Sequence, residues 1–306
     1  MQSFLVLLEI HAVPELWGQI FNFTDYGALL ALVRNSLVAG AVLGLVGGLV
    51  STFVMMRDLP FAVHGVSELS FAGASAALFF GANIITGSLV GSILAACVIG
   101  ALGARAKDRN SIIGVIMPFG LGLGVLFLSL YQGRSANKFG LLTGQIVAVD
   151  TPQLGWLIIT GVVVTAALMF IWRPLLFAST DPEVAEARGV PVGLLSAVFM
   201  LLLGLTVAIS VQIIGALLVL SVICTPAAAA MLVTASPKTV PVLSMAFGFL
   251  SVVGGTLLSL GSRVPISPYV TTISFLIYLV CRVIGRWRTK HGWSKRGAQV
   301  ETAVAA

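Results

Sequence analysis

Long apolar runs separated by short polar breaks dominate the chain between residues 28 and 284. A helical run of about 20 apolar residues matches the thickness of a bilayer core. Because Ser210-Val211-Gln212 leaves no room for a loop, one of the two runs beside it is expected to be broken or to cross only in part. The pattern predicts nine spans, with a count of eight also open: residues 28–56, 61–81, 84–104, 111–131, 154–172, 192–210, 212–234, 240–260 and 269–284.

The two ends of the chain differ from these runs. The apolar stretch at residues 4–23 is interrupted by two glutamates, a histidine and a proline, and it lacks the basic start and small-residue cleavage site of a signal peptide. We therefore expect an interfacial segment at residues 1–26, a transmembrane domain at residues 27–286 and a polar tail at residues 287–306.

Composition supports a membrane protein and excludes several other classes. Of 306 residues, 58% are hydrophobic and 9% are charged, whereas an average soluble domain is about 25% charged. A soluble enzyme of this length could not cover its surface with so few charges, and a disordered chain would not be so apolar. The three cysteines lie far apart, which argues against a disulfide scaffold or a thiolate zinc site. The fold class predicted is an all-α polytopic membrane bundle.

The distribution of basic residues predicts the orientation in the cell membrane. Cytoplasmic loops carry an excess of lysine and arginine. If the Arg57-Asp58 turn lies in the cytoplasm, the nine alternating spans place thirteen basic residues inside, among them Arg188, and four outside. The C-terminus is then cytoplasmic. The four outer residues are Arg34, Arg134, Lys138 and Arg263.

The sequence contains no signature of catalysis. It has no G-x-x-x-x-G-K-[ST] loop for nucleotide phosphates and no H-E-x-x-H zinc motif. We therefore expect no enzyme activity and no permanently bound cofactor. If the function of this chain needs ATP, a separate chain must hydrolyse it.

The chemistry that stands out is a pair of ionisable residues within the second predicted span, His64 and Glu68. Residues four apart share one face of a helix, so one ligand can reach both side chains. Inserting an acid into a bilayer costs about 2.5–3.5 kcal/mol, so such groups normally face a cavity or the bundle interior. Imidazole and carboxylate together suit divalent metals such as manganese, zinc and iron.

Two other interpretations of the pair stay open. His64 and Glu68 could bind each other or a neighbouring helix and only fix the packing, or they could relay protons. Two ligands are too few for a closed metal site. A weak transit site, completed by water or by a second copy of the chain, fits a transporter better than a storage site.

A short polar segment between the fifth and sixth predicted spans has the signals of a complete two-turn helix over residues 180–189. Thr180 and Glu183 have capping-box spacing, Asp181 is a competing cap, and Pro182 suits the first turn. Gly189 ends the helix. A helix this short is marginal in water unless something packs on it, which favours a docking element for a cytoplasmic partner over a plain linker.

Three stretches resemble the permease subunits of ATP-binding-cassette importers for zinc, manganese or iron, in the same order along the chain. The likeness covers residues 26–286. The stretches are RNSLVAG at residues 34–40 with its continuation to Arg57, DPEVAEARGVP at residues 181–191, and GALLV at residues 215–219 followed by TPAA at residues 225–228.

This resemblance implies a type II importer fold and a set of partners. They are a second permease copy or a sister permease, a cytoplasmic ATPase and an extracellular solute-binding protein. The implied ATPase contacts lie in the short helix, and Pro226 marks a break in a span. The residues implied for coupling are Asp181, Pro182, Glu183, Glu186, Arg188 and Gly189.

The resemblance also implies that the pair meets the cargo. The family has Asp-x-x-x-His early in the second span. Alignment on Ser67 and Gly73 places His64 at the aspartate position and Glu68 at the histidine position, so the two ligand types are reversed. The predicted cargo is manganese or zinc, with iron possible. The alternatives are a proton-coupled secondary carrier and a cobalamin- or siderophore-type permease.

Overall fold

The computed structural model describes residues 26–102, 106–133, 138, 140–142, 144, 149–260, 262 and 265–304, and the interfacial segment expected at residues 1–26 lies almost wholly outside them. Within these ranges the chain is helical, without strands. The helices are α1 (Tyr26–Leu32), α2 (Arg34–Met56), α3 (Pro60–Phe79), α4 (Ile84–Leu102), α5 (Ala106–Leu130), α6 (Thr151–Thr180), α7 (Pro182–Ala187), α8 (Val192–Ile214), α9 (Val219–Ile223), α10 (Thr225–Val233), α11 (Thr239–Ser259) and α12 (Ile266–Val304).

The all-α membrane bundle predicted from the sequence is confirmed, but the count of eight or nine spans is slightly too high. Seven of the described helices are long and apolar enough to cross a membrane. The other two predicted spans differ for physical reasons. Helix α3 has the length, but His64, Glu68 and three serines lower its hydropathy. The seventh predicted span is divided into a 3₁₀ turn, α9 and α10.

The expected break lies a few residues later than the sequence suggested. Ser210-Val211-Gln212 is inside α8, which continues to Ile214, and the chain turns at Gly215 with φ +91°. An added Cβ at Gly215 would lie 2.3 Å from the carbonyl oxygen of Leu142. The loop between α5 and α6 therefore contacts the break directly, and only glycine combines this backbone conformation with so close an approach.

Glycines let several helices approach one another closely, as expected for a membrane bundle. An added Cβ at Gly48 of α2 would lie 2.3 Å from the Ser244 carbonyl oxygen of α11, and one at Gly44 would lie 2.6 Å from that of Gly248. The order of these contacts makes α2 and α11 antiparallel. Helices α3 and α4 are antiparallel as well, with Gly73 against the backbone of α4.

One end of the bundle gathers the ends of several helices and is called here the Arg57 end. The Arg57 side chain binds Ser179 at the end of α6 and Ser196 near the start of α8. Helix α7 joins α6 to α8 and therefore also lies at this end. Beneath Arg57, the Phe53 ring contacts aromatic rings of α6 and α8, with ring centroids 4.9 and 5.9 Å away.

We expect Gly48→Ala to lower the free energy of unfolding by about 1–3 kcal/mol, because the added methyl group would force α2 and α11 apart. The control is Gly155→Ala in α6, where nothing lies within 4 Å of an added Cβ. That change should be neutral or stabilising by up to about 1 kcal/mol. Denaturant unfolding in detergent measures both variants, and equal effects would contradict the close packing of α2 on α11.

Candidate functional site

The His64 and Glu68 side chains lie one turn apart on α3. The distance from His64 Nε2 to Glu68 Oε1 is 3.7 Å, longer than a hydrogen bond. Glu68 is 3% exposed, whereas His64 is 28% exposed. The pair thus extends from the interior of the described bundle to its surface.

Each residue of the pair keeps a polar atom without a partner. Among the residues that the structure describes, neither Nδ1 of His64 nor Oε2 of Glu68 has a hydrogen bond, although both atoms are buried. A buried polar atom left unpaired costs about 1–3 kcal/mol. No third histidine, cysteine, aspartate or glutamate of the described chain joins them in a cluster. The arrangement offers one nitrogen and one carboxylate to a ligand supplied from elsewhere.

Contacts on several sides fix helix α3. The Ser67 hydroxyl donates to the carbonyl oxygen of Ala216 at 2.9 Å, and the hydroxyl of Ser70 lies 2.8 Å from that of Ser88 on α4. On the side of α5, an added Cβ at Gly120 would lie 3.0 Å from the carbonyl carbon of Glu68. The backbone that carries the pair is therefore held between α4, α5 and the broken segment.

Serines from three helices hold the broken segment that follows Gly215. Their hydroxyls lie within hydrogen-bond distance of backbone carbonyl groups beside the two helix breaks. The Ser51 hydroxyl of α2 lies 3.3 Å from the Cys224 carbonyl oxygen and accepts from the Ala227 N–H at 3.0 Å, so it spans the Pro226 turn. The other serine contacts are Ser67 with Ala216, Ser267 with Ile214 and Ser274 with Ser221.

Pro226 and the pair belong to different parts of this framework. Pro226 is buried at the start of α10, where Ser51 of α2 binds the neighbouring backbone. The same segment contacts α3 at Ala216, ten residues earlier. Sequence reasoning missed the four serines because an isolated serine in an apolar run reads as a small packing residue. Only the position of the helix break reveals their role.

The face of α3 that carries His64 is the open side of this helix. Phe61, one turn before His64, is 65% exposed. A cavity of about 300 Å³ opens beside Phe61, between α3 and α5. Large apolar side chains on α5, including Val115 and Phe119, are also exposed. This surface can receive further apolar helices.

Helix α7 is six residues long and almost entirely exposed. The Asp181 carboxylate accepts from the Val184 N–H at 3.1 Å and is the cap, whereas Thr180 ends α6 and bonds to Leu176. Gly189, with φ +80°, ends the turn after α7. The helix is therefore shorter than the predicted 180–189. Of its side chains only Ala185 is buried, and the others offer a free surface.

Comparison with known proteins gives the family. The family model described as "ABC 3 transport family" matches residues 30–285, which is most of the chain. The chain belongs to the ABC 3 transport family. This ABC 3 transport protein is accordingly a multi-pass membrane protein with a role in transport, as the resemblance implied.

Curated relatives of this ABC 3 transport protein are described as manganese transporters. The manganese transport system membrane protein MntC of Halalkalibacterium halodurans is 26% identical over 234 residues, 76% of this chain and 80% of the relative. The manganese import system permease protein ScaB of Streptococcus gordonii is 28% identical over 249 residues, 81% and 89% of the two chains.

A solved structure shares the fold. A chain of PsaBC from Streptococcus pneumoniae, in complex with Fab, superposes with a TM-score of 0.78 at 23% identity. The match covers 88% of this ABC 3 transport protein and 99% of that chain. The arrangement of helices described above is therefore shared with that solved chain.

We expect Asp181→Ala to destabilise α7 by about 1 kcal/mol, because it removes the side chain that caps the helix. Thr180→Ala is the matched control, since the Thr180 hydroxyl bonds within α6. Hydrogen exchange over residues 182–188 measures the difference. Faster exchange in Asp181→Ala alone is the expected result, and faster exchange in Thr180→Ala alone would make Thr180 the cap.

Proposed function

We propose that this chain is the permease subunit of an ATP-driven manganese importer in the cell membrane. The observation that carries the proposal is the buried pair on α3, an imidazole and a carboxylate with unpaired atoms inside a membrane bundle. Membership of the ABC 3 transport family and the names of the manganese-transporting relatives support it. Zinc and iron are the other cargoes that these ligand types could accept.

The pair would act as a transit site for the metal. His64 contributes a nitrogen ligand and Glu68 a carboxylate oxygen, and carboxylate suits manganese better than a thiolate does. The described part of each chain brings only these two ligands together, so the ion would keep water or take further ligands from a second chain. Incomplete coordination favours release, which an importer requires. The reversed order of the two residues preserves both ligand types on one helical face.

The open face of α3 favours a second permease beside it. Phe61, one helical turn before His64, and residues of α5 surround a cavity, and a partner helix would cover them. A two-fold axis at this face would bring two pairs toward one central path. Four protein ligands would then be available to one ion.

The Arg57 end would face the cytoplasm, as the predicted charge asymmetry requires. Helix α7 offers Glu183, Val184, Glu186 and Arg188 to a cytoplasmic ATPase, and Val184 is 44% exposed despite its apolar side chain. An extracellular solute-binding protein would deliver the metal at the opposite end. The C-terminus, after α12, would then be cytoplasmic.

Replacement of either ligand should abolish manganese transport. We expect His64→Ala and Glu68→Ala each to lower uptake into proteoliposomes at least about tenfold, because even the outer-shell partners of metal ligands are worth about that much in metal affinity. The double variant H64D/E68H, which restores the order usual in the family, should retain uptake. Ser75→Ala is the control, since it removes a buried hydroxyl from the same helix that has no hydrogen bond within the described residues.

If both single variants assemble normally and take up manganese at the wild-type rate, the role of the pair is purely structural. Uptake that follows an imposed proton gradient in the absence of ATPase would instead favour the proton-coupled carrier.

Charge reversal on α7 should weaken ATPase docking. We expect Glu183→Lys and Arg188→Glu each to lower the affinity of the purified permease for its ATPase about tenfold, because like charges across an interface repel. Arg173→Gln, an exposed change on α6, is the control. Binding measured in nanodiscs tests this expectation, and unchanged affinity in both α7 variants would exclude α7 as the docking element.

A further inference from the structure

Arg57 makes contacts that link three helices at the base of α7. Its guanidinium donates to the hydroxyl of Ser179 at 3.5 Å and also to the hydroxyl of Ser196. Its Cζ atom lies 5.8 Å from the centre of the Phe199 ring, which is completely buried. The planar guanidinium can serve two acceptors and a ring face at once, which a lysine cannot do.

The two serines are prepared to accept these hydrogen bonds. The Ser179 hydroxyl donates to the Leu175 carbonyl oxygen at 2.6 Å, and the Ser196 hydroxyl donates to that of Val192 at 2.8 Å. Each hydroxyl hydrogen is therefore already used within its own helix, and each oxygen faces Arg57 as an acceptor.

The two serines lie on either side of the docking helix. Ser179 comes two residues before Asp181, the cap of α7, and Ser196 follows Pro191 by five residues. Arg57 therefore holds the segment that enters α7 and the helix that leaves it. A displacement of α7 that carries the end of α6 or the start of α8 with it has to move Arg57 or break these bonds.

On its other side, Arg57 is joined closely to the helix of the pair. Asp58 adopts a left-handed conformation with φ +57°, and the Leu59 N–H bonds back to the Val54 carbonyl oxygen at 2.9 Å. Helix α3 begins at the next residue, Pro60, and His64 follows one turn later. Because a backbone hydrogen bond closes this turn, the start of α3 has little freedom to move relative to Arg57.

We propose that Arg57 is a positioning residue that transmits movement of the docking helix to α3 and so to the His64/Glu68 pair. The inference rests on the proposed function, because it takes α7 as the ATPase contact. It adds the mechanical connection between that contact and the cargo ligands. Two-state movement of a packed element is the physical basis of such coupling.

The test uses the permease with its ATPase in nanodiscs and proteoliposomes. The variants are Arg57→Gln, Arg57→Lys, the double variant Ser179→Ala/Ser196→Ala, and the triple variant that adds Arg57→Gln to that double variant. Arg173→Gln, six residues before Ser179, is the matched control. Two quantities are measured: manganese uptake per ATP hydrolysed, and hydrogen exchange of residues 60–68 with and without bound ATPase. Melting temperature reports any loss of folding.

We expect Arg57→Gln to lower uptake per ATP about tenfold while the ATPase still binds and hydrolyses ATP, a coupling effect of ordinary size. Docking should change the exchange of residues 60–68 in the wild type and in Arg173→Gln but not in Arg57→Gln. Arg57→Lys should retain part of the wild-type uptake per ATP and part of the docking response. The double serine variant should lower uptake per ATP as much as Arg57→Gln does, and the triple variant should lower it no further.

Wild-type uptake per ATP in Arg57→Gln would overturn the inference, as would a docking response of residues 60–68 that survives this change. A fall in uptake that only follows a fall in melting temperature would also overturn it. The exchange measurement does not depend on the cargo. An absence of manganese uptake by the wild type, with a normal docking response, would therefore count against the proposed function alone.

Discussion

A lipid bilayer offers no water to a buried polar group, so each such group within the bundle must find its partner inside the protein. This constraint explains the serine contacts around the broken segment. The helix is broken at Gly215 and again at Pro226, and hydroxyls from α2, α3 and α12 contact carbonyl groups beside these breaks. These contacts hold the broken segment in place.

Against this background, the unpaired atoms of His64 and Glu68 are informative. The same helix supplies Ser67 and Ser70, and both of these hydroxyls are bonded. Among the described residues, the buried side-chain atoms of α3 without a hydrogen bond belong to His64, Glu68 and Ser75, and of these only the imidazole and the carboxylate have metal-binding chemistry. The Ser67 and Ser70 hydroxyls are fixed by partners within the fold, whereas a transport ligand would have to be free for its cargo.

The parts of this design that the sequence predicted are local ones. The i, i+4 spacing of the pair follows from helical periodicity alone. The position of the break did not, because the Gly215 turn packs against Leu142 in the loop between α5 and α6. In the sequence, Arg57 counted only toward the charge asymmetry that predicts membrane orientation. Its contacts with Ser179 and Ser196 join residues 122 and 139 positions away, a separation that no local pattern reveals.

In the proposed function, the same end of the bundle would connect docking to the pair. Helix α7 is short, exposed and capped by one side chain. The ends of the helices beside it are fixed by Arg57 and by the aromatic side chains beneath Arg57. A partner that pulls on α7 therefore acts on a rigid group of helix ends rather than on a loose loop. Helix α3 starts within that group, so in the proposed function docking and cargo binding would share one mechanical element.

Cargo contact at the pair can be tested most directly by locating manganese in the assembled transporter. Anomalous diffraction at the manganese edge, recorded from the complex with Mn²⁺, identifies the ion independently of any activity. The expected result is a peak within about 2.5 Å of a His64 nitrogen and a Glu68 carboxylate oxygen. A manganese peak elsewhere along the path, with the pair bound only to neighbouring helices, would contradict it.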